Sequence, residues 1–422
     1  MPDLSSSHSE NALPLKTIVV SLLTLVAAIV LYFVRGMGDS GAGEGAGWWV
    51  ELAFVITAAA ALSIVIWQAC DPFADAAQWV GVKARLPSSV RGATLDAIAS
   101  SMPELFTGLF FVVVVLMGEK ESADRLRESA EGYGSTIATC AGSSIYNMIL
   151  IPAICAIAVS YSRRTKPYIE VGREVIYRDG LWVIFTQLGL LVFLFQPQLS
   201  WWMAAFAILA YVFYVTQLYV DTLRFRGRLD SAEIEADEPN ESAGLFFGAI
   251  EVGLNGWTAS VVLVVSTLTA AVACWVLVEL TNDSAHYFGI EPFFVAVILT
   301  AAVSSIPDTF VSLGSARRGD DSGAMANVFG SNIFDICIGM SIPLLVCCYL
   351  NDWQAIDLID ENDQTLRGVV GLRVFLFGLT AIAMYLLWQF KKVSRRMGWF
   401  FCLLYSSFVL YAILGAMEIV EV

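Results

Sequence analysis

Residues 100–106 read SSMPELF and residues 304–310 read SSIPDTF, and a second pair of matching phrases follows each of them, AGSSIYNM at 141–148 and FGSNIFDI at 329–336. Each copy places a carboxylate, Glu104 or Asp308, directly after a proline inside an otherwise apolar stretch of helix length. Proline cannot donate its backbone hydrogen bond, which loosens the helix beside the acid. An ionisable side chain at membrane depth is costly and marks a site by default. A doubled motif of this kind points to a carrier that binds a cation near the middle of the membrane.

The rest of the chain supplies the membrane. It has 422 residues, 57% of them hydrophobic, and apolar runs of about 18–25 residues, enough to cross a hydrocarbon core of about 30 Å. Eleven spans are predicted: 17–34, 48–70, 93–117, 134–160, 179–196, 199–221, 256–280, 291–316, 323–350, 369–390 and 397–417. The fold class is therefore an all-α polytopic membrane protein of about eleven transmembrane helices. The first span is read as an extra, uncleaved helix, although Lys16 and the following GMGDSGAGEGAG also resemble parts of a signal peptide.

The formal net charge of −15 comes mostly from acids in connecting loops, and basic residues are more informative because cytoplasmic loops collect them. Lys83, Arg85 and Arg91 form one cluster, then Arg163, Arg164, Lys166 and Arg173, then Arg224, Arg226 and Arg228. Arg317 and Arg318 follow, and finally Lys391, Lys392, Arg395 and Arg396. These clusters fall in every second connection, which predicts a cytoplasmic N-terminus and an extracytoplasmic C-terminus in a cell membrane. The connection with Lys120, Arg125 and Arg127 is the exception; its acids outnumber its bases, so it is placed outside, as an amphipathic excursion over 118–132.

The chain divides into an N-terminal segment with the extra helix at 1–47, a first five-helix repeat at 48–221, an acidic cytoplasmic linker at 222–255, and a second five-helix repeat at 256–422. Five is odd, so the repeats must cross the membrane in opposite directions, as in carriers whose sites form at the interface of inverted repeats from broken helices. The acids of the linker lack the order of an EF-hand and read as a solvated tether. Eight cysteines without a C-x-x-C pair, and histidines only at 8 and 286, favour neither a zinc site nor serine–histidine chemistry. No enzyme activity, resident cofactor or nucleic-acid partner is expected; the partners are small cations and the lipid bilayer.

The motif residues read as coordination chemistry. Ser100, Ser101, Glu104 and Thr107 lie within two turns, and Ser143 and Asn147 are four apart on one helix face. The second copy repeats them as Ser304, Ser305 and Asp308, with Ser331 and Asp335. Carboxylate, hydroxyl and amide oxygens are the ligands that hard cations take. Two carboxylates would neutralise one calcium ion, and the third, Asp335, leaves room for a monovalent cation. Gly142 and Gly330, before the serines, permit close helix approach. No Lys or Arg falls at mid-span to pair with the acids. Asp96, eight residues before Glu104, is expected to face the cytoplasmic vestibule, with a further ion or proton ligand as the other reading.

Both segments resemble the paired alpha repeats of the sodium/calcium exchanger (cation/calcium exchanger) superfamily. SSIPDTFVSLGSARRG with NVFGSNIFDI, and GATLDAIASSMPELFTG with GSSIYNM, carry the likeness. It implies antiport by alternating access, sodium entering as calcium leaves, with Glu104 and Asp308 binding the two ions in turn. Aspartate at 335 opposite asparagine at 147 is similar to the potassium-dependent branch, which implies potassium co-transport. Ala99, Met102 and Val303 are bulkier than the residues usual in the family. A proton/calcium antiporter is the alternative; an intramembrane aspartyl protease and a channel are competing classes, the first disfavoured because the Y-D motif is missing and neither Asp308 nor Asp335 lies in a G-x-G-D sequence.

Overall fold

In hydrocarbon every backbone N–H and C=O must be satisfied within its own segment, so the apolar runs become helices. The computed structural model describes residues 13–39, 47–86, 88–116, 122–226, 241–358 and 368–419. Among them ten helical stretches are long and apolar enough to span a membrane, and Ile18–Val34 is a shorter apolar stretch within the first helix. The helices are α1 Leu13–Asp39, α2 Trp48–Lys83, α3 Ala97–Leu116, α4 Ser122–Ile145, α5 Ile151–Ser162, α6 Arg173–Leu194 and α7 Trp201–Arg226. After the linker come α8 Gly256–Phe288, α9 Ile306–Arg318, α10 Asp321–Phe334, α11 Ser341–Leu350, α12 Val369–Phe390 and α13 Arg395–Ala416.

The motif-bearing stretches form the centre. The buried share is 61% for Gly92–Val114, 78% for Glu128–Ser162 and 67% for both Pro292–Arg318 and Asp321–Leu350, against 50% or less for the other six. The peripheral helices therefore turn much of their surface to lipid and enclose a polar core.

Boundaries differ from the sequence reading where charges are neutralised locally. The span expected at 179–196 begins at Arg173, because the charges inside the helix satisfy each other: Arg178 Nε lies 2.8 Å from Asp179 Oδ1, and Tyr214 donates to the same oxygen at 3.3 Å. Helix α8 runs on to Phe288, opened by a reciprocal cap in which Asn255 accepts from the Thr258 amide and Thr258 from that of Asn255. The expected excursion over 118–132 is a continuation of α4 from Ser122 onward; residues 117–121 lie outside the described residues.

Three short antiparallel ribbons tie loops together. β1 Tyr168–Glu170 pairs with β6 Lys392–Ser394, and β2 Gln198–Leu199 with β5 Ile356–Asp357. β3 Ser242–Leu245 pairs with β4 Ile250–Gly253, so the linker expected at 222–255 carries a hairpin. That hairpin docks on α2: the Gly244 and Phe247 amides donate to Asp75 Oδ2 at 3.2 Å and Gln68 Oε1 at 2.6 Å. Linker residues 227–240, with most of its acids, lie outside the described residues.

Candidate ion-binding site

Four widened helical turns, each closing five residues in a π arrangement, surround the motif residues. Gly92–Asp96 ends eight residues before Glu104, and Ala296–Thr300 ends eight residues before Asp308. Tyr146–Leu150 begins just after Ser143 and contains Asn147; Asp335–Gly339 follows Ser331 and begins with Asp335. Such turns re-aim side chains and free backbone groups, and they concentrate at functional sites. The two prolines act differently. Helix α3 runs unbroken past Pro103, whereas the second copy is interrupted at Ser305 (φ −83°, ψ 2°) before Pro307 opens α9. Only the second copy thus has the broken helix that both prolines suggested.

Two glycines bring the copies together reciprocally. A Cβ at Gly142 would stand 2.9 Å from the Val297 carbonyl oxygen, and one at Gly330 would stand 2.7 Å from the Ala93 carbonyl oxygen. Val297 and Ala93 occupy the widened turns that precede Asp308 and Glu104. Each serine-bearing helix therefore packs against the acid-bearing segment of the other copy, and only a residue without a side chain permits that distance.

The contact assembles a network whose members are fully buried: Glu104, Asp308, Asp335, Ser143, Asn147, Ser305 and Ser331 all have 0% exposure. Ser143 Oγ lies 3.1 Å from Glu104 Oε1 and 2.9 Å from Asp335 Oδ2, so one hydroxyl, with a single proton to give, stands between acids from the two copies. Ser305 contacts Glu104 Oε1 at 3.2 Å and Ser143 Oγ at 2.8 Å. The Asn147 amide donates to Asp308 Oδ2 at 3.2 Å and Asp335 Oδ2 at 3.3 Å, and Ser331 donates to Asp308 Oδ1 at 2.6 Å.

Four further atoms in this set have no hydrogen-bond partner: Glu104 Oε2, Asp335 Oδ1, Asn147 Oδ1 and Ser101 Oγ. Buried polar atoms are rarely left so. All four are oxygens, the donor type that calcium, sodium and potassium share. Among the described residues no three His, Cys, Asp or Glu side chains form a metal cage by themselves; the converging set is mixed carboxylate, hydroxyl and amide.

Other expected hydroxyls bond their own helix backbone while staying within reach of the acids, Ser304 of Glu104 and Ser100 of Asp308. Ser100 donates to the Asp96 carbonyl at 2.8 Å and lies 3.4 Å from Asn327 Oδ1. Ser304 turns back to the Ala301 carbonyl at 3.3 Å, and Thr107 to that of Pro103 at 2.8 Å. Asp96 is 6% exposed and is held by Gln78 Nε2 at 3.1 and 3.2 Å from its two oxygens, so it is a packed contact between α2 and the first widened turn instead of a vestibule group. Asn327, not anticipated from the motif, donates to Ser312 at 3.0 Å. Its position four residues before Ser331, on the same helix face, was the available signal.

A polytopic helical membrane protein in which two matching segments meet in a buried carboxylate and hydroxyl core has the arrangement of a carrier. The model of the sodium/calcium exchanger protein family matches residues 52–220 and 258–414, and the chain belongs to that family. Human sodium/potassium/calcium exchanger 4 is 28% identical over 159 residues, 36% of this chain and 24% of the human protein. Human sodium/potassium/calcium exchanger 3 is 31% identical over 150 residues, 35% of this chain and 22% of its own length. The chain thus spans about a quarter of these curated relatives. A solved structure of the sodium-calcium exchanger NCX_Mj, soaked with 2.5 mM Na+ and 0.1 mM Ca2+, superimposes with a TM-score of 0.53 at 19% identity, covering 83% of this chain and 95% of that one. At that identity the likeness is one of fold.

Proposed function

We propose that this chain is a secondary antiporter that exchanges sodium for calcium, with potassium co-transported alongside calcium, by alternating access at the carboxylate site. The observation that carries the reading is the single Ser143 hydroxyl standing between Glu104 and Asp335, beside the unpartnered oxygens of both acids. Glu104, Asp308 and Asp335 are the charged ligands; Asn147, Ser101, Ser143, Ser305 and Ser331 complete the shell, and Ser100 and Ser304 supply hydroxyls on their own helices that line it. Family membership supports cation/calcium exchange, and the names of the sodium/potassium/calcium exchangers support potassium as the third ion.

The coupling follows from charge. An acid at the bilayer centre costs about 2.5–3.5 kcal/mol by insertion scales, so a carrier with three uncompensated carboxylates resists moving its site across the membrane. One calcium with one potassium, or several sodium ions, removes that cost, and a ligand that favours the switching state in this way produces exchange instead of leak. Residues 48–221 and 256–422 are assigned as the two repeats of opposite orientation, a division supported by the reciprocal glycine contacts and by the two stretches the family model matches. The basic clusters orient the N-terminus to the cytoplasm.

Calcium uptake into inverted vesicles, with sodium, potassium and proton gradients imposed one at a time, tests the assignment. Sodium-driven uptake stimulated by potassium is the expected result. Uptake driven by a pH gradient in sodium-free medium would instead make the chain a proton/calcium antiporter, and uptake without any counter-gradient would make it a channel.

A further inference from the structure

A cavity of about 420 Å³ lies apart from the carboxylate site, between α6 and α12, walled by residues that include Tyr177, Gln187, Leu188, Phe377, Thr380 and Trp388. Leu188 and Phe377 are 42% and 43% exposed, so the cavity opens sideways, toward lipid. At one end Trp388 Nε1 donates to the Tyr177 hydroxyl at 3.0 Å. In its wall stand Gln187, 2% exposed, and Thr380, 4% exposed. Gln187 Nε2, Gln187 Oε1 and Thr380 Oγ1 have no hydrogen-bond partner. Neighbouring polar groups on the same helix are satisfied internally, as Thr186 is by the Trp182 carbonyl at 2.9 Å. Gln187 and Thr380 both lie well inside helices of membrane-spanning length, where an unmade hydrogen bond is costly and water is not at hand.

We propose that this groove binds a lipophilic alcohol: a molecule with one hydrocarbon body and a hydroxyl group that enters from the bilayer. A hydroxyl both donates and accepts, so one such group completes both kinds of atom left open, donating to Gln187 Oε1 while accepting from Thr380 Oγ1. The hydrocarbon body lies along Leu188 and Phe377. The volume sits at the lower end of the range for small-molecule sites, about 300–1,000 Å³, which suits one slim body.

The test uses the full chain in lipid nanodiscs with two photoreactive probes of equal length, a hexadecanol and a hexadecane. The alcohol is expected to label segments 177–188 and 377–388 about tenfold more than the alkane, the factor a single well-placed hydrogen bond supplies, and unlabelled hexadecanol is expected to compete. In Gln187→Leu combined with Thr380→Val the alcohol should label no better than the alkane. Thr380→Val alone, which keeps the side-chain shape, should halve the preference or more and decides the matter if the double variant does not elute as the wild type. Equal labelling by both probes, a preference that survives these substitutions, or no labelling above that of the α13 lipid face would overturn the proposal.

Discussion

Gly330→Ala tests whether the reciprocal packing of the two copies holds the ion site together. The new methyl would lie 2.7 Å from the Ala93 carbonyl oxygen and 3.0 Å from the Ala93 carbonyl carbon and Cα. All three are backbone atoms of the widened turn that leads to Glu104, so no side chain can swing aside. Ordinary contact begins near 3.4 Å, which requires the helix and the turn to part by about 0.7 Å. Overpacking of this kind costs about 1–3 kcal/mol of stability. Asp335, five residues further along the same segment, meets Ser143 of the first copy at 2.9 Å, and parting the copies would lengthen that contact by up to the same amount, to about 3.6 Å, beyond the usual O–H···O range of about 2.5–3.0 Å. A hydrogen bond to a charged group contributes about 1.5–3 kcal/mol, so sodium-driven calcium uptake into proteoliposomes should fall by roughly 10- to 150-fold, together with a lower thermal midpoint. Gly142→Ala should behave alike, and Gly378→Ala on α12, where an added Cβ meets nothing within 4 Å, should match the wild type. Full flux and unchanged stability in Gly330→Ala would refute the argument.

Glu104→Gln and Asp308→Asn should each abolish calcium flux while leaving the protein monodisperse on size exclusion; normal flux in either removes that acid from the site. Asp335→Asn should eliminate potassium stimulation of exchange, and a retained potassium response would place that ion elsewhere. Ser143→Ala deletes the hydroxyl shared by Glu104 and Asp335 and should weaken apparent calcium affinity at least about tenfold, read as a rise in the half-saturating calcium concentration; an unchanged value would show that the hydroxyl plays no part in binding.

The membrane-spanning order was legible because hydrocarbon imposes a length and a polarity that apolar runs record directly. Gly142 and Gly330 announced close approach, and Asn147, Ser143, Ser305, Ser331 and the three acids come together in one buried network. Hydroxyl direction was not legible. A serine or threonine inside a helix can bond the carbonyl three or four residues back, and Ser304, Thr107 and Ser100 all do so. The widened turns were hidden for a related reason: inserting one residue changes the period of an all-apolar face by too little to see when nearly every position is apolar. The start of α6 was misplaced because Arg178 and Asp179 look like a loop until they are seen to neutralise each other. The docked hairpin at 242–253 rests on contacts with α2 that lie 169 and 179 residues away, which no local pattern records.

The one residue that breaks the symmetry of the site sets its charge. Asn147 and Asp335 hold equivalent places in the two copies, yet one is an amide and the other an acid, and the amide donates to both Asp335 and Asp308. Two amides would leave two carboxylates, enough for calcium alone; two acids would leave four and remove the donor that holds Asp308 and Asp335 beside each other. Asn147→Asp therefore adds a buried charge costing about 2.5–3.5 kcal/mol where a favourable contact stood. Calcium exchange near neutral pH should drop on the order of a hundredfold, and part of it should return as the pH is lowered, because a bound proton restores the three-charge state. Flux measured from pH 6 to pH 8 distinguishes this from a folding defect, which acid would not repair. A variant that exchanges calcium at the wild-type rate across that range would show that the site tolerates a fourth acid, and the charge count behind the proposed potassium co-transport would fail with it.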